Sequence, residues 1–324
     1  MSKIFDALQR SEIERSGDES ETLPQGPDLL KRAEQRAASR WETLETHIVP
    51  DVVNFAESDE TVHTEANLAA RKESAASSSK ELPADQRQKA LDRIRSIPIS
   101  LAPQSRLVCL TDRENPTAEA IRLLGVRLKD LRRVRPLKKL LITSTIPQEG
   151  KSTIAANLAC ALAHVSGENT LLIEGDLRRP SLCSIFGVQT LPGIFEWLKG
   201  EGSPLKSIYR LADTGLCFMP AGKTSSDPIE LLQSPKLPDL MEQCAALFDW
   251  IVIDSPPVLP LADTSVWSRL ADGVLLVTRE GVTKKQPLQK GLEALDKKKL
   301  LGALVNGSIA SAYSGYYYRS SISA

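Results

Sequence analysis

A strand-like apolar run, Leu140 to Ile142, feeds a short loop that ends in Gly150-Lys151-Ser152-Thr153 and opens at once into an Ala- and Leu-rich helix. This order constrains the fold more than anything else in the chain. Strand, loop, Gly-Lys-Ser and helix form the arrangement that cradles a triphosphate. Loop N–H groups and the helix N-terminus face the phosphates, a Lys151 ammonium reaches the β and γ oxygens, and a Ser152 hydroxyl ligates Mg²⁺. In the general pattern G-x-x-x-x-G-K-[ST] the first position is Gly, whereas here it is Thr145. The reading therefore has to be supported elsewhere in the chain.

Support comes from the pattern beyond residue 100. Thr117 to Arg133 reads as an amphipathic helix. Apolar runs then recur at Leu140–Thr145, Thr170–Asp176, Leu216–Pro220, Trp250–Asp254, Gly273–Thr278 and Leu300–Asn306, with helical patterns between them. Near-continuous apolar strands alternating with helices indicate an α/β fold with a mainly parallel sheet covered on both faces. Ligands of such a sheet sit beyond the carboxyl ends of its strands, where the 145–152 loop lies.

Two more strand ends carry acids. Leu171-Leu172-Ile173 runs into Glu174 and Asp176, whose i, i+2 spacing places both on one face of an extended strand. Trp250-Ile251-Val252-Ile253 runs into Asp254, the arrangement that supplies the Mg²⁺ shell in P-loop enzymes. A mixed-charge strand end and a turn-capping Asp remain the plain structural alternatives for these two runs. Together with the loop, they supply the parts of phosphoryl transfer: cradle, cation, metal shell and spare carboxylate.

The chain has five tyrosines, and Tyr313, Tyr316, Tyr317 and Tyr318 fall within its last twelve residues. Phenols have an ordinary pKa of about 10, so a carboxylate that accepts the proton helps them act as phosphoryl acceptors. A tail of this composition adds little to a core. It is either a substrate or a docking element.

Other features bound the function. Lys plus Arg and Asp plus Glu both number 41, so no global field favours nucleic acid. The five cysteines lack metal or C-x-x-C spacing and read as reduced core residues. No apolar run reaches membrane-spanning length, which predicts a cytoplasmic chain. Residues 1 to 100 read as an arm: a short amphipathic helix at 1–15, then Glu-, Ser-, Ala- and Asp-rich sequence with no sustained period. Residues 101–308 are the expected P-loop domain and 309–324 the tail.

These residues resemble the bacterial tyrosine autokinases of the polysaccharide co-polymerase type, in their cytosolic CpsD/CapB-like form. The resemblance spans about residues 105 to 318. STIPQEGKSTIAANLA is similar to the family's Walker A, LLIEGDLRRPSL to its Walker A′ and FDWIVIDSPPVLPLADT to its Walker B region. PAGKTSSDPIELLQSPKL is similar to the connecting segment and the tail to the tyrosine cluster. A P-loop NTPase fold of the MinD/ParA-like kind is implied. So is ATP- and Mg²⁺-dependent autophosphorylation of Tyr313, Tyr316, Tyr317 and Tyr318 in control of capsule or exopolysaccharide synthesis and export.

The roles implied are catalytic for Lys151, Asp176 and Glu174, and metal-binding for Ser152, Asp254 and Asp176. Gln148, Glu149, Gly150, Lys151, Ser152, Thr153 and Asn306 are implied to bind the nucleotide. Glu174 stands where the family has Asp. Glu119, Arg122 and Gly125 match the E-x-x-R-x-x-R ring-assembly motif except at its last position, and Arg127 lies about 200° around the helix from Gly125. The implied partners are a membrane-embedded co-polymerase that activates the chain at the inner membrane face, a cognate phosphatase and, through that motif, further copies. Two alternatives are a ParA/MinD-like ATPase switch and a catalytically weak ATP-binding scaffold. Ile146-Pro147-Gln148 counts against the switch, which carries an extra Lys early in its loop.

Overall fold

The structure is a computed structural model that describes residues 83–307 apart from 167, 202, 224–227 and 260–261. The helix expected at 1–15, most of the N-terminal arm and the tyrosine tail lie outside the described residues.

Eight strands form one sheet. In chain order they are β1 (Arg95–Ile97), β2 (Lys139–Ser144), β3 (Thr170–Glu174), β4 (Tyr209–Leu211), β5 (Leu216–Met219), β6 (Trp250–Asp254), β7 (Gly273–Arg279) and β8 (Leu300–Asn306). Their order across the sheet is β1-β4-β5-β3-β6-β2-β7-β8. Every neighbouring pair is parallel except β4 and β5. The six long apolar runs are thus one parallel sheet, as their composition implied. The β1–β4 pair, three residues long in each strand, extends one edge and was invisible to periodicity.

The helices are α1 (Ala84–Asp92), α2 (Val108–Thr111), α3 (Pro116–Val134), α4 (Lys151–Ser166), α5 (Leu182–Phe186), α6 (Ile194–Leu198), α7 (Ile229–Leu232), α8 (Lys236–Leu247), α9 (Asp263–Leu270) and α10 (Lys285–Ala294). Strand side chains alternate between two cores. Leu140, Ile142, Leu172 and Val252 join α3, α4 and α5 on one face. Leu141, Ile173, Ile251 and Ile253 join α1, α8 and α9 on the other. Among its described side chains α4 is apolar nearly all round because it lies between the sheet and α3, so both its faces are buried. Its one buried amide, Asn157, is fully used: Oδ1 accepts from Cys109 N at 3.1 Å and Nδ2 donates to the Arg106 and Thr153 carbonyls at 2.9 Å each.

The N-terminal boundary differs from the expectation at residue 100. Leu91, Ile94 and Ile97 are buried, and Arg87 binds the end of α8 through the Leu247 carbonyl at 2.6 Å and Asp249 at 2.6 Å. Residues 84–97 therefore belong to the fold. One short helix and three strand residues set among charged neighbours carry too little pattern to be read from sequence.

The crossing of the sheet positions the site. β2 lies between β6 and β7, and β6 lies between β2 and β3. Ile142 is level with Asp254, and Asp254 is level with Glu174. The ends of three strands that are distant in sequence thus share one edge.

Candidate nucleotide and catalytic site

The loop after β2 is stitched to the segment after β6. Ser255 N donates to the Ile142 carbonyl at 3.0 Å, Val258 N to Ser144 at 2.8 Å, and the Thr143 hydroxyl to Pro256 at 2.7 Å. Gln148 and Gly150 adopt φ of 68° and 92°, whereas Thr145 is not among the residues of positive φ. The first loop position thus needs no glycine here. Thr145 is fully buried, and its methyl packs against Gly291 of α10, where an added Cβ would stand 3.0 Å away. The glycine that makes room has moved to the neighbouring helix.

Lys151 is the first residue of α4 and points into a pair of carboxylates. Its Nζ lies 2.9 Å from Asp176 Oδ2, 3.7 Å from Asp254 Oδ1 and 3.2 Å from Ser152 Oγ. Burial alone would lower the lysine's pKa, but Asp254, Asp176 and Glu174 outweigh it and hold the pKa above its ordinary value. Asp254 is fully buried, and both its carboxylate oxygens lack a hydrogen-bond partner. Burial pushes its pKa up to about 7, against the opposing pull of Lys151 and Ser152. A buried carboxylate with free oxygens beside a hydroxyl is an unfinished coordination shell, and it fits a hard divalent cation. Ser152 and Asp254 are the residues that would hold Mg²⁺. The cation would offset negative charge on the phosphates.

Asp176 and Glu174 do not act as a pair. Asp176 ends beside Lys151, and its Oδ1 accepts from Arg179 N at 3.0 Å. Glu174 is fully buried and bonds to backbone. Its Oε1 accepts from Ser181 N and Leu182 N at 2.5 Å each, and its Oε2 from Ala221 N at 3.2 Å. Burial raises its pKa, with those three N–H groups opposing the rise. The strand ends at Glu174, so the i, i+2 rule stops applying one residue before Asp176. Through these bonds Glu174 ties Ser181 and Leu182 to Ala221 of the Pro-Ala-Gly segment at 220–222.

The residue between the two acids is held closely. Gly175 N donates to the Asp254 carbonyl at 2.7 Å, and its own carbonyl accepts from Trp267 Nε1 at 3.1 Å. A Cβ at 175 would lie 2.8 Å from the Trp267 ring. Asp263, one turn before Trp267 on α9, takes Arg178 at 2.7 and 3.3 Å. Trp267 carries no signal in the sequence pattern, and Asp263 falls in the run FDWIVIDSPPVLPLADT without a role assigned to it there.

The remaining nucleotide candidates separate. Gly150 and Ser152 line the loop and helix start, Gln148 is exposed, and Thr153 is partly buried on the first turn of α4. The Glu149 side chain is fully buried and points to the outer side of the loop, where it accepts from Ile146 N at 2.8 Å and from the Thr283 hydroxyl. Only its backbone N–H remains for phosphate. Asn306, at the end of β8, donates from Nδ2 to the Glu149 carbonyl at 2.9 Å and fills the space where a Cβ on Gly150 would sit. Tyr313, Tyr316, Tyr317 and Tyr318 lie outside the described residues. Tyr209, the other tyrosine, is buried and donates to the Pro192 carbonyl at 3.1 Å, with its pKa raised by burial.

Gly125 lies on the buried side of α3, with Leu162 of α4 at 3.6 Å from where its Cβ would be. Glu119 and Arg122 form an ion pair at 2.5 Å on the exposed side. No described helix is long and apolar enough to cross a membrane.

Several curated relatives of the chain are named tyrosine-protein kinases. No protein-family model matches the chain. Over 217 residues, 66% of this chain and 91% of the relative, it is 34% identical to the tyrosine-protein kinase YwqD of Bacillus subtilis (strain 168). Over 170 residues it is 38% identical to the succinoglycan biosynthesis transport protein ExoP of Rhizobium meliloti (strain 1021), but spans only 22% of that relative. Among solved structures, the chimerical protein CapA2B2 superposes with a TM-score of 0.59 at 26% identity, over 69% of this chain and 98% of that one.

Proposed function

This chain belongs to the bacterial tyrosine-protein kinases, and from that premise we propose that it transfers the γ-phosphoryl group of ATP to its own Tyr313, Tyr316, Tyr317 and Tyr318 in the control of capsular or exopolysaccharide synthesis and export. The observation that carries the reading is the convergence of Lys151, Asp176, Ser152 and Asp254, whose carboxylate has no hydrogen-bond partner, at adjoining strand ends.

In this mechanism the loop N–H groups and the α4 N-terminus bind the phosphates. Lys151, now shared between Asp176 and Asp254, moves its positive charge onto the β and γ oxygens. That exchange frees Asp176 to accept the phenol proton. A bond then forms between the tyrosine oxygen and the γ phosphorus as the bond to the bridging oxygen breaks. ADP leaves with the electron pair, and the proton resides on Asp176. Glu174 takes no part in proton transfer; it fixes the backbone from which Asp176 projects.

Similarity to a polysaccharide transport protein that is much longer than the matched segment supports a membrane partner. We assign that partner as a co-polymerase whose cytosolic segment activates the kinase at the inner membrane face, with a phosphatase closing the cycle. Assembly of several copies through Glu119 and Arg122 is the remaining element of this reading.

The test uses a variant with all four tail tyrosines changed to Phe. Given MgATP and activator, the wild type accumulates phosphotyrosine while the variant accumulates less than about a tenth as much. Equal labelling of the two chains would move the acceptor elsewhere and overturn the tail assignment.

A further inference from the structure

The outer side of the phosphate loop is held by side chains from a part of the chain that no motif covers. Glu149 is a fully buried carboxylate next to a cradle for anions, where a negative charge works against binding. Two donors converge on it: Ile146 N–H on Oε2 at 2.8 Å and the Thr283 hydroxyl on Oε1. The carboxylate gives each donor an oxygen of its own. Thr283 lies just beyond the end of β7, and its Oγ1 in turn accepts from Arg279 N at 2.8 Å. The Arg279 guanidinium donates to the Gln148 carbonyl at 3.3 Å, and Asn306 to the Glu149 carbonyl at 2.9 Å.

These contacts surround a strained position. Gln148 is a non-glycine residue at φ 68°, followed two residues later by Gly150 at φ 92°. A left-handed side-chain-bearing residue persists only where its surroundings over-determine it. Here the surroundings are the Glu149 carboxylate on one side and Arg279 on the other. Left-handed residues alternating along a loop are the backbone feature from which anion nests are built.

We propose that Thr283 is a positioning residue for the nucleotide: through Glu149 it holds the 146–150 turn in the conformation that receives the phosphates. The inference rests on the nucleotide-binding part of the function proposed above. It adds a residue some 130 positions from the loop, on the β7–α10 connection. Thr283 touches neither nucleotide nor acceptor in this account, and acts only by setting the fraction of loops ready to bind.

Isothermal titration of the full chain with MgADP tests this. Thr283→Val removes the hydroxyl and leaves the Glu149 oxygen and the Arg279 N–H without partners. Its expected Kd is about five- to tenfold above wild type, because the competent fraction of loops falls. Thr283→Ser keeps the hydroxyl, and its Kd stays within about twofold of wild type. Thr283 is only partly buried at the surface, so neither change threatens folding. A Val variant that binds like wild type overturns the proposal. So does a Ser variant as weak as Val, because the hydroxyl would then not be the cause. The readout is binding, so a chain that binds MgADP but phosphorylates nothing would sink the proposed kinase reaction and still let the two variants decide the clamp.

Discussion

Glu174 and Asp176 are two residues apart and meet different partners. Glu174 spends both oxygens on three backbone N–H groups, whereas Asp176 faces a movable ammonium. Replacing Glu174 with Gln puts an amide donor against backbone donors. It should cost about 1–3 kcal/mol of stability in urea denaturation, the usual penalty for buried unsatisfied groups. Turnover per folded molecule should stay within a few-fold of wild type. Unchanged stability with lost transfer would instead mark Glu174 as part of the chemistry. Asp176→Asn should behave in the opposite way, with near-normal stability and a fall in kcat on the order of a hundredfold or more. The sequence showed two acids at a strand end. It did not show which of them faced backbone, because Glu174 is held by Ser181, Leu182 and Ala221, and a motif match does not say which side chain their N–H groups meet.

At the scale of the element, periodicity worked where a strand or helix is long and buried. β2, β3, β5, β6 and β7 follow from their buried apolar runs, as does edge strand β8 from a partly buried one, and α3 runs over Pro116–Val134 with the Asn115 side chain capping it through Thr117 N at 2.9 Å. Three-residue β1 and β4 did not, since so few positions cannot display an alternation. The candidate site was legible to the same extent. Lys151, Ser152 and Asp254 lie at motif positions that depend on local chain geometry, and the structure brings them together. Thr283 and Trp267 lie outside every motif and carry no local signature. Gly125 allows an element-scale prediction. It sits inside α3, and a methyl group there would meet Leu162 at an ordinary contact distance of 3.6 Å. Gly125→Ala should therefore stabilise the chain by about 0.5–1 kcal/mol by helix propensity, measured by thermal or urea unfolding. A loss of stability would mean that α3 and α4 pack more tightly than this distance implies.

For the whole molecule, the fold extends further toward the N-terminus than composition indicated. A chain beginning at residue 101 would lose Leu91, Ile94 and Ile97 from the core along with edge strand β1. At roughly 1.5–3 kcal/mol for each buried aliphatic side chain, that truncation should cost on the order of 5 kcal/mol relative to one beginning at 83. Paired urea titrations of the two truncations measure the difference directly, and equal midpoints would show that α1 and β1 are ornamental.

The proposed transfer joins a phosphate site at the strand ends to acceptors at the far end of the sequence. Its most direct test is phosphopeptide mapping by mass spectrometry after incubation with MgATP and the activator segment, on wild type and on Lys151→Met. The account predicts phosphate on Tyr313, Tyr316, Tyr317 or Tyr318 in the wild type and none in the variant. ATP hydrolysis by the wild type with no phosphotyrosine under any condition would contradict it.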